Sequence, residues 1–408
     1  MENLCAKLEN YFSKLQVNSI QKKLREKPLV FLFNSGHCGI DYMQSLLDSH
    51  HQILITPEYS FLRSWNEQIE GGKIQDPDEM FLAWEKFFKR MHWINHADDQ
   101  QFLHSEQEFE VFFEALSKKI TLQSMGKVDI FWAIHESYCI ARSINIESIK
   151  MIIAQEHLNF YFEQSRLIFP ESKVILMMRD PRASFGGIFH KMGKIQGYIT
   201  DGTFNFFTQQ WIQAQKIWKY LSKLNDERYK IVKLEELQID KESKLIELAA
   251  WLGVDFNESI LRSTYPHTAE WEADTCYKVE TKKIPDDFFS QENIQKRWMN
   301  VLKDQREILM IESLLDQTMR KFEYDRLTKK TLLSALKGFY YYFNYPRGKI
   351  ARMVQLYPNM SQPELMPQKL QQNERLMAFW RFLPSSFQFL GFLFFSLLVR
   401  VKKRYVSV

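Results

Sequence analysis

Cysteine is sparse in this 408-residue chain. Cys5, Cys38, Cys139 and Cys276 are scattered, with no C-x-x-C pair and no zinc-ligand spacing. That excludes a disulfide-stapled scaffold and a cysteine-held zinc, and it fits four reduced thiols in a cytoplasmic protein. A G-x-x-x-x-G-K-[ST] run is also missing, which speaks against a P-loop nucleotide kinase. The chain opens without a signal peptide. Residues 1–27 read as a charged amphipathic helix carrying Leu4, Leu8, Tyr11 and Leu15, with no apolar core region. No internal repeat, long low-complexity tract or metal-ligand set appears.

What is present is a globular composition, 45% apolar and 25% charged, with 33 phenylalanines. The net charge of +4 hides an asymmetry. From Arg326 onward there are 14 basic and 2 acidic residues; the preceding 325 residues carry 40 basic and 48 acidic ones. The two parts are therefore expected to meet different partners. We read residues 1–325 as one α/β domain and residues 326–408 as a basic, aromatic-rich tail.

Two continuous apolar runs, Leu29–Phe33 and Val174–Met178, have the texture of parallel strands buried on both faces. The first leads through Asn34–Gly39 into a helix with Ile40, Met43, Leu46 and Leu47 on one face. Strand, glycine-bearing loop and helix together place backbone N–H groups around a phosphate. Residues 152–155 read as a further strand, 159–168 as a helix, and 229–234 as a strand. A long helix carries Phe204, Phe207, Trp211, Trp218 and Leu221, and another spans 241–252, stopped by Gly253. The aromatic stretch 80–119 reads as a helical insertion, and 304–321 as the last helix of the body. This alternation predicts a doubly wound parallel sheet with helical insertions and a C-terminal helical tail.

Three segments, in order, resemble the sulfotransferase family. FLFNSGHCGIDYMQSLLDSHHQI (31–53) is similar to its 5′-phosphosulfate loop, FPESKVILMMRDPRASFGG (169–187) to its 3′-phosphate strand, and YKIVKLEELQIDKESKLIELAAWLGVDF (229–256) to a segment packed behind the sheet. A weaker likeness covers 268–324. The resemblance implies a P-loop-NTPase-like fold that uses 3′-phosphoadenosine 5′-phosphosulfate as co-substrate, with no metal. It assigns Ser35, Gly36, His37, Cys38, Gly39, Ile40 and Asp41 to the 5′ end of the donor. Arg179 falls to the 3′-phosphate, with Ser184 supplying a hydroxyl from a neighbouring turn. Arg182 reads as a structural or surface arginine.

The sequence departs from the family pattern in the loop. The family's Lys or Arg is His37, which supplies positive charge only when protonated. Its two hydroxyl residues are Ile40 and Asp41, and its 3′-site Ser is Gly187. Glu58, in TPEYSF, matches the family's general base, which needs to reach the acceptor hydroxyl. His37 is the second catalytic candidate, placed to stabilise charge on the bridging oxygen. His135, Glu136, Glu156 and His157 are further acids and bases within sequence reach. The expected function is sulfuryl transfer to a hydroxyl or amine on a glycan or lipid-linked acceptor. The alternative is a non-catalytic relative that binds a glycan or a protein.

In the tail, Phe387–Val399 is apolar but for Gln388 and Ser396, and Arg400, Lys402, Lys403 and Arg404 follow at once. The run falls short of the roughly 20 residues that span a bilayer. We read about 379–404 as an interfacial or re-entrant helix with a polybasic anchor, making the protein cytoplasmic and peripherally associated with an anionic membrane. The density of Phe and Leu argues against a nucleic-acid partner.

Overall fold

The computed structural model describes residues 23–56, 60–66, 94–95, 98–102, 105–121, 126–156, 158–196, 201–224, 226–264 and 290–344. In chain order the strands are β1 (Leu29–Asn34), β2 (Ile53–Ile55), β3 (Ile94–Asn95), β4 (Asp98–Phe102), β5 (Met151–Glu156), β6 (Lys173–Met178) and β7 (Tyr229–Lys233). The helices are α1 (Ile40–Leu47), α2 (Phe61–Trp65), α3 (Glu106–Thr121), α4 (Lys127–Ala141), α5 (Phe162–Ile168), α6 (Pro181–Gln196) and α7 (Asp201–Leu224). They continue with α8 (Leu234–Ile239), α9 (Lys241–Leu252), α10 (Gln291–Lys296), α11 (Gln305–Leu314), α12 (Asp316–Lys321) and α13 (Leu332–Asn344).

Five strands form one parallel sheet in the order β2-β5-β1-β6-β7. The chain starts at the centre, builds to one side through β2 and β5, then crosses to the other through β6 and β7. The expected doubly wound sheet is therefore present. Its switch point lies at the carboxyl ends of β1, β5 and β6, where open α/β sheets leave a crevice for a ligand. Every residue of β1 and β5 is buried, and the strands are rich in Phe, Ile, Leu, Val and Met for that reason. Phe31 packs against Phe169 and Phe131, with ring centroids 5.4 and 6.2 Å away, and Phe33 meets Phe162 edge-on at 5.8 Å. Such pairs fix strand and helix positions beyond what area burial alone supplies.

Two readings of the sequence change. The aromatic stretch 80–119 is not helical throughout its described part. Ile94–Asn95 and Asp98–Phe102 form a two-stranded antiparallel ribbon, and only then does α3 begin. The helix expected over 304–321 leaves helical geometry at Leu315 (φ −110°, ψ 21°), dividing into α11 and α12. Asp316, which opens α12, accepts hydrogen bonds from Arg326 and Lys330, both at 2.8 Å. The break thus sits where the following segment is tied back. Residues 1–22 and the tail helix read at 379–404 lie outside the described residues.

The described residues fall into two compact units, one from 23–188 and 209–339, the other from 189–208 and 340–344. The first holds the sheet. The second comprises the end of α6, the start of α7 and the end of α13. Among the described residues, no helix is long and apolar enough to cross a membrane.

Within the first unit α13 docks through Gly338. A Cβ there would lie 2.2 Å from Ser313 Oγ, 2.5 Å from Ser313 Cβ and 2.9 Å from the Leu309 carbonyl oxygen of α11. Alanine gains about 1 kcal/mol of helix propensity over glycine, but the overpacking, which includes backbone, costs about 1–3 kcal/mol. We therefore expect Gly338→Ala to lower the unfolding midpoint in urea. A raised midpoint would show that α13 lifts off α11 without cost.

Candidate functional site at the carboxyl ends of the central strands

Loop 34–39 leaves β1 as a series of tight turns. Gly36, His37 and Gly39 all have positive φ, of 92°, 48° and 80°. Gly39 is the N-cap of α1 and lies in the left-handed region, where a side chain is disfavoured. A Cβ there would also run into Leu234 Cδ1 at 2.5 Å. The Asn34 side chain accepts a hydrogen bond from Gly36 N–H, and Cys38 Sγ lies 3.2 Å from the Gly36 carbonyl. Ser35 is buried, its hydroxyl 3.4 Å from Met178 Sδ at the end of β6. The loop is thereby shaped so that the first turn of α1, the positive end of its helix dipole, begins at the switch point.

Arg179 follows β6 directly. Its Nη1 donates to the His37 carbonyl at 3.0 Å. The strand-end arginine and the β1 loop, read separately from the sequence, are thus brought together. The two catalytic candidates differ. His37 is half-buried within this loop, whereas Glu58, with Pro57 and Tyr59, lies outside the described residues. The flanks of Glu58 are pinned on both sides. Gln44 of α1 donates to the Thr56 carbonyl at 3.2 Å, and Leu62 N–H donates to the Glu156 carboxylate at 2.7 Å.

Other candidates occupy defined places. Asp41, in the first turn of α1, accepts from Gln155 Nε2 at 3.1 Å. Ile40 is buried. Ser184 is fully buried; its hydroxyl donates to the Gly36 carbonyl and accepts from Trp211 Nε1 at 3.1 Å. Gly187 faces His37: a Cβ on it would meet His37 Nδ1 at 3.4 Å. The histidine ring therefore fills the space next to the position where the family carries its serine. Arg182 is structural rather than a surface arginine. It is buried between Asp180 (2.6 Å) and Glu312 (2.9 Å), with its guanidinium 4.4 Å from the Trp298 ring centroid.

His135 and Glu136 belong to the interior of α4. His135 is fully buried, its Nδ1 is 2.9 Å from the Phe131 carbonyl, and burial pushes its pKa down to about 4. Glu136 is ion-paired with Lys119. His157 lies outside the described residues. Among the described residues, no cluster of His, Cys, Asp and Glu has the arrangement of a metal site.

The sequence reading passed over Glu235. It is buried at the start of α8, immediately after β7. One carboxylate oxygen accepts the Asp180 N–H at 2.8 Å and the other the Tyr324 hydroxyl at 3.1 Å. Burial raises its pKa, while the Asp180 N–H and the nearby Arg179 charge act against that rise. Its neighbour Leu234 packs under Gly39. These two residues therefore underpin both the β1 loop and the β6 end. Burial also pushes the Cys38 thiol up to about 12, against the opposing pull of Arg179, so Cys38 is a packed thiol rather than a nucleophile.

The model of the sulfotransferase family matches residues 30–258, which span the loop, Arg179 and Glu235. That is more than half of the chain, and the chain belongs to the sulfotransferase family. No curated protein sequence matches it. Among solved structures, the sulfotransferase domain of the Synechococcus PCC 7002 olefin synthase is 16% identical, with 73% of this chain and 95% of that one covered at a TM-score of 0.46. The sulfotransferase domain of the curacin biosynthetic pathway is 17% identical, covering 73% and 98% at 0.47. A sulfotransferase of Mycobacterium avium is 11% identical, covering 74% and 79% at 0.37.

Glu156 generates a pH test. It is fully buried at the end of β5, and burial pushes its pKa from 4.5 up to about 8 despite the N–H groups of Leu62 and Arg63. Between those values the folded state holds a proton that the unfolded chain has released. Stability therefore falls as pH rises across the window and levels off above it. Gln at 156 keeps the acceptor for Leu62 and cannot ionise. The stability of Glu156→Gln relative to wild type should rise from pH 5 to pH 8.5, by at most about 1.4 kcal/mol per pH unit. Parallel urea-unfolding stabilities across that range would show that the carboxylate is solvated or otherwise compensated.

Proposed function

We propose that the chain transfers a sulfuryl group from 3′-phosphoadenosine 5′-phosphosulfate to a hydroxyl or amine on a glycan or lipid-linked acceptor. The observation that carries the reading is the hydrogen bond from Arg179 to the His37 carbonyl. It sets a planar guanidinium, suited to a phosphate, beside a loop and helix N-terminus suited to the other anionic end of the donor. Ser35–Asp41 would cradle the 5′ end. Arg179 would hold the 3′-phosphate. Ser184 would act indirectly, since its hydroxyl ties α6 to the Gly36 carbonyl. The protonated His37 imidazole would face charge building on the bridging oxygen.

In the transfer, the acceptor oxygen or nitrogen forms a bond to sulfur as the bond from sulfur to the bridging phosphate oxygen breaks. Glu58 takes the acceptor's proton, and 3′-phosphoadenosine 5′-phosphate leaves. The hydrogen bonds of Thr56 to α1 and of Leu62 to the end of β5, on either side of Glu58 in the sequence, support this role. We extend the proposal to the two-part organisation: a sulfotransferase-like body to residue 325, and a basic tail beyond it that attaches to an anionic membrane from the cytoplasmic side. A second reading, a relative without catalysis, is favoured by Asp41, a carboxylate in the first turn of the donor helix.

Calorimetry with 3′-phosphoadenosine 5′-phosphate separates the two. Binding to wild type, weakened by about 1.5–3 kcal/mol in Arg179→Ala, is expected for the donor site. No binding to either protein would favour the relative without catalysis, and equal binding would remove Arg179 from the site. Glu58→Gln should leave that binding intact and lower turnover by about 10²–10⁴-fold. An unchanged rate would move the base elsewhere.

A further inference from the structure

The helix α13 turns its leucines the wrong way for a body helix. It docks on α11 through Gly338, which nearly touches Ser313 and Leu309. At 100° per residue, Leu332, Leu333 and Leu336 lie on the side opposite Gly338. They are 77%, 61% and 55% exposed. Just before the helix, Leu327 is 51% exposed. A single exposed leucine is ordinary, but several on one helical face away from the core call for a partner.

The charges around this face select the partner. Residues 326–344 contain Arg326, Lys329, Lys330 and Lys337 and no Asp or Glu. Lys329, Lys330 and Lys337 are exposed. Arg326 and Lys330 reach back to Asp316, which fixes the start of the segment to the body. The chain then runs on through Tyr340–Tyr342, Arg347 and Lys349 with the same aromatic and basic character. Arg326 and Lys330 are engaged in their ion pairs with Asp316, which leaves Lys329 and Lys337 beside the leucines. Apolar side chains next to exposed lysines, on a helix held by its opposite face, match the boundary between acyl chains and anionic headgroups.

We propose that α13 is a membrane-contacting helix, inserting Leu332, Leu333 and Leu336 into the interface of an anionic bilayer. This attachment is distinct from the apolar run near the C-terminus. It rests on the reading of the chain beyond residue 325 as membrane-attaching and narrows it to α13, but not on the sulfuryl-transfer reading, because none of these residues belongs to the donor site.

The test uses the full chain and phosphatidylcholine vesicles with a minority of phosphatidylserine. The triple variant Leu332→Gln, Leu333→Gln, Leu336→Gln should cosediment about tenfold more weakly or worse. Full-chain Leu336→Trp, read as a difference from wild type, should shift its emission to the blue on adding vesicles and be quenched by brominated acyl chains. It should keep its nucleotide binding, whether strong or absent in wild type. Quenching decides the matter if the triple variant folds poorly.

Three results would overturn the proposal. The first is a wild type that stays in the supernatant. The second is equal sedimentation of wild type and triple variant with no quenching, which would leave attachment to the C-terminal run. The third is emission already blue without vesicles, which would mean another protein surface covers the face. A concentration-dependent shift would then identify a second copy, and a concentration-independent one the chain's own tail.

Discussion

The buried carboxylate of Glu235 is the constraint on which the site rests. It is an ionisable group buried from most solvent, and burial favours its neutral form unless hydrogen bonds and neighbouring charge compensate the desolvation. Here the compensation comes from the Asp180 N–H, the Tyr324 hydroxyl and the Arg179 guanidinium. Each partner belongs to a different part of the fold. Asp180 fixes the chain leaving β6, Tyr324 brings in the segment after α12, and Arg179 carries the link onward to the His37 carbonyl. The loop, the strand end and the late segment are thus registered against one atom pair. That registration is the precision the proposed anion site would need.

Arg182 shows the complementary solution to burying charge. It sits between Asp180 and Glu312 with Trp298 over its face, and Glu312 also receives Leu327 N–H and Thr328 N–H at 2.8 and 3.0 Å. Asp180 therefore serves two masters: its backbone N–H goes to Glu235 and its side chain to Arg182. Removing one partner of such a network leaves an uncompensated buried charge, which is far worse than never having built it. The RDPR run is consequently half site and half scaffold, with Arg179 facing the loop and Arg182 facing the body.

How much of this was legible follows from what each signal measures. Strands β1, β5 and β6 are buried on both faces, so their apolar runs stand out, and the helices α7 and α9 carry the periodicity of a single buried face. Helix α4 was passed over as a helix because every side chain from Ile130 to Cys139 is buried, which erases the contrast between faces. The ribbon of β3 and β4 was missed because DDQQF has little strand propensity. Arg179 was found through its motif. Glu235 was not, because its partners lie 55 and 89 residues away in sequence and nothing local marks a carboxylate as buried.

The loop's departures from the family form a coherent set once placed in space. Losing the loop lysine removes a permanent cation, and Asp41 adds an anion; at about 4 Å and an effective dielectric of 20, each unit charge is worth about 4 kcal/mol. Left alone, that change would oppose an anionic ligand. The structure blunts it in two ways. Gln155 binds the Asp41 carboxylate from the end of β5. The loss of a side chain at Gly187 leaves room for the His37 ring against α6. His37 is further held through its carbonyl by Arg179, the permanent cation that the described residues put beside this loop. On the proposed donor-site reading, anion affinity would rest on Arg179 and oriented backbone N–H groups, with the imidazole adding charge only when protonated. If the proposed donor binds here, the acidic body and the titratable loop would make its binding more sensitive to pH and ionic strength than a lysine-bearing loop would.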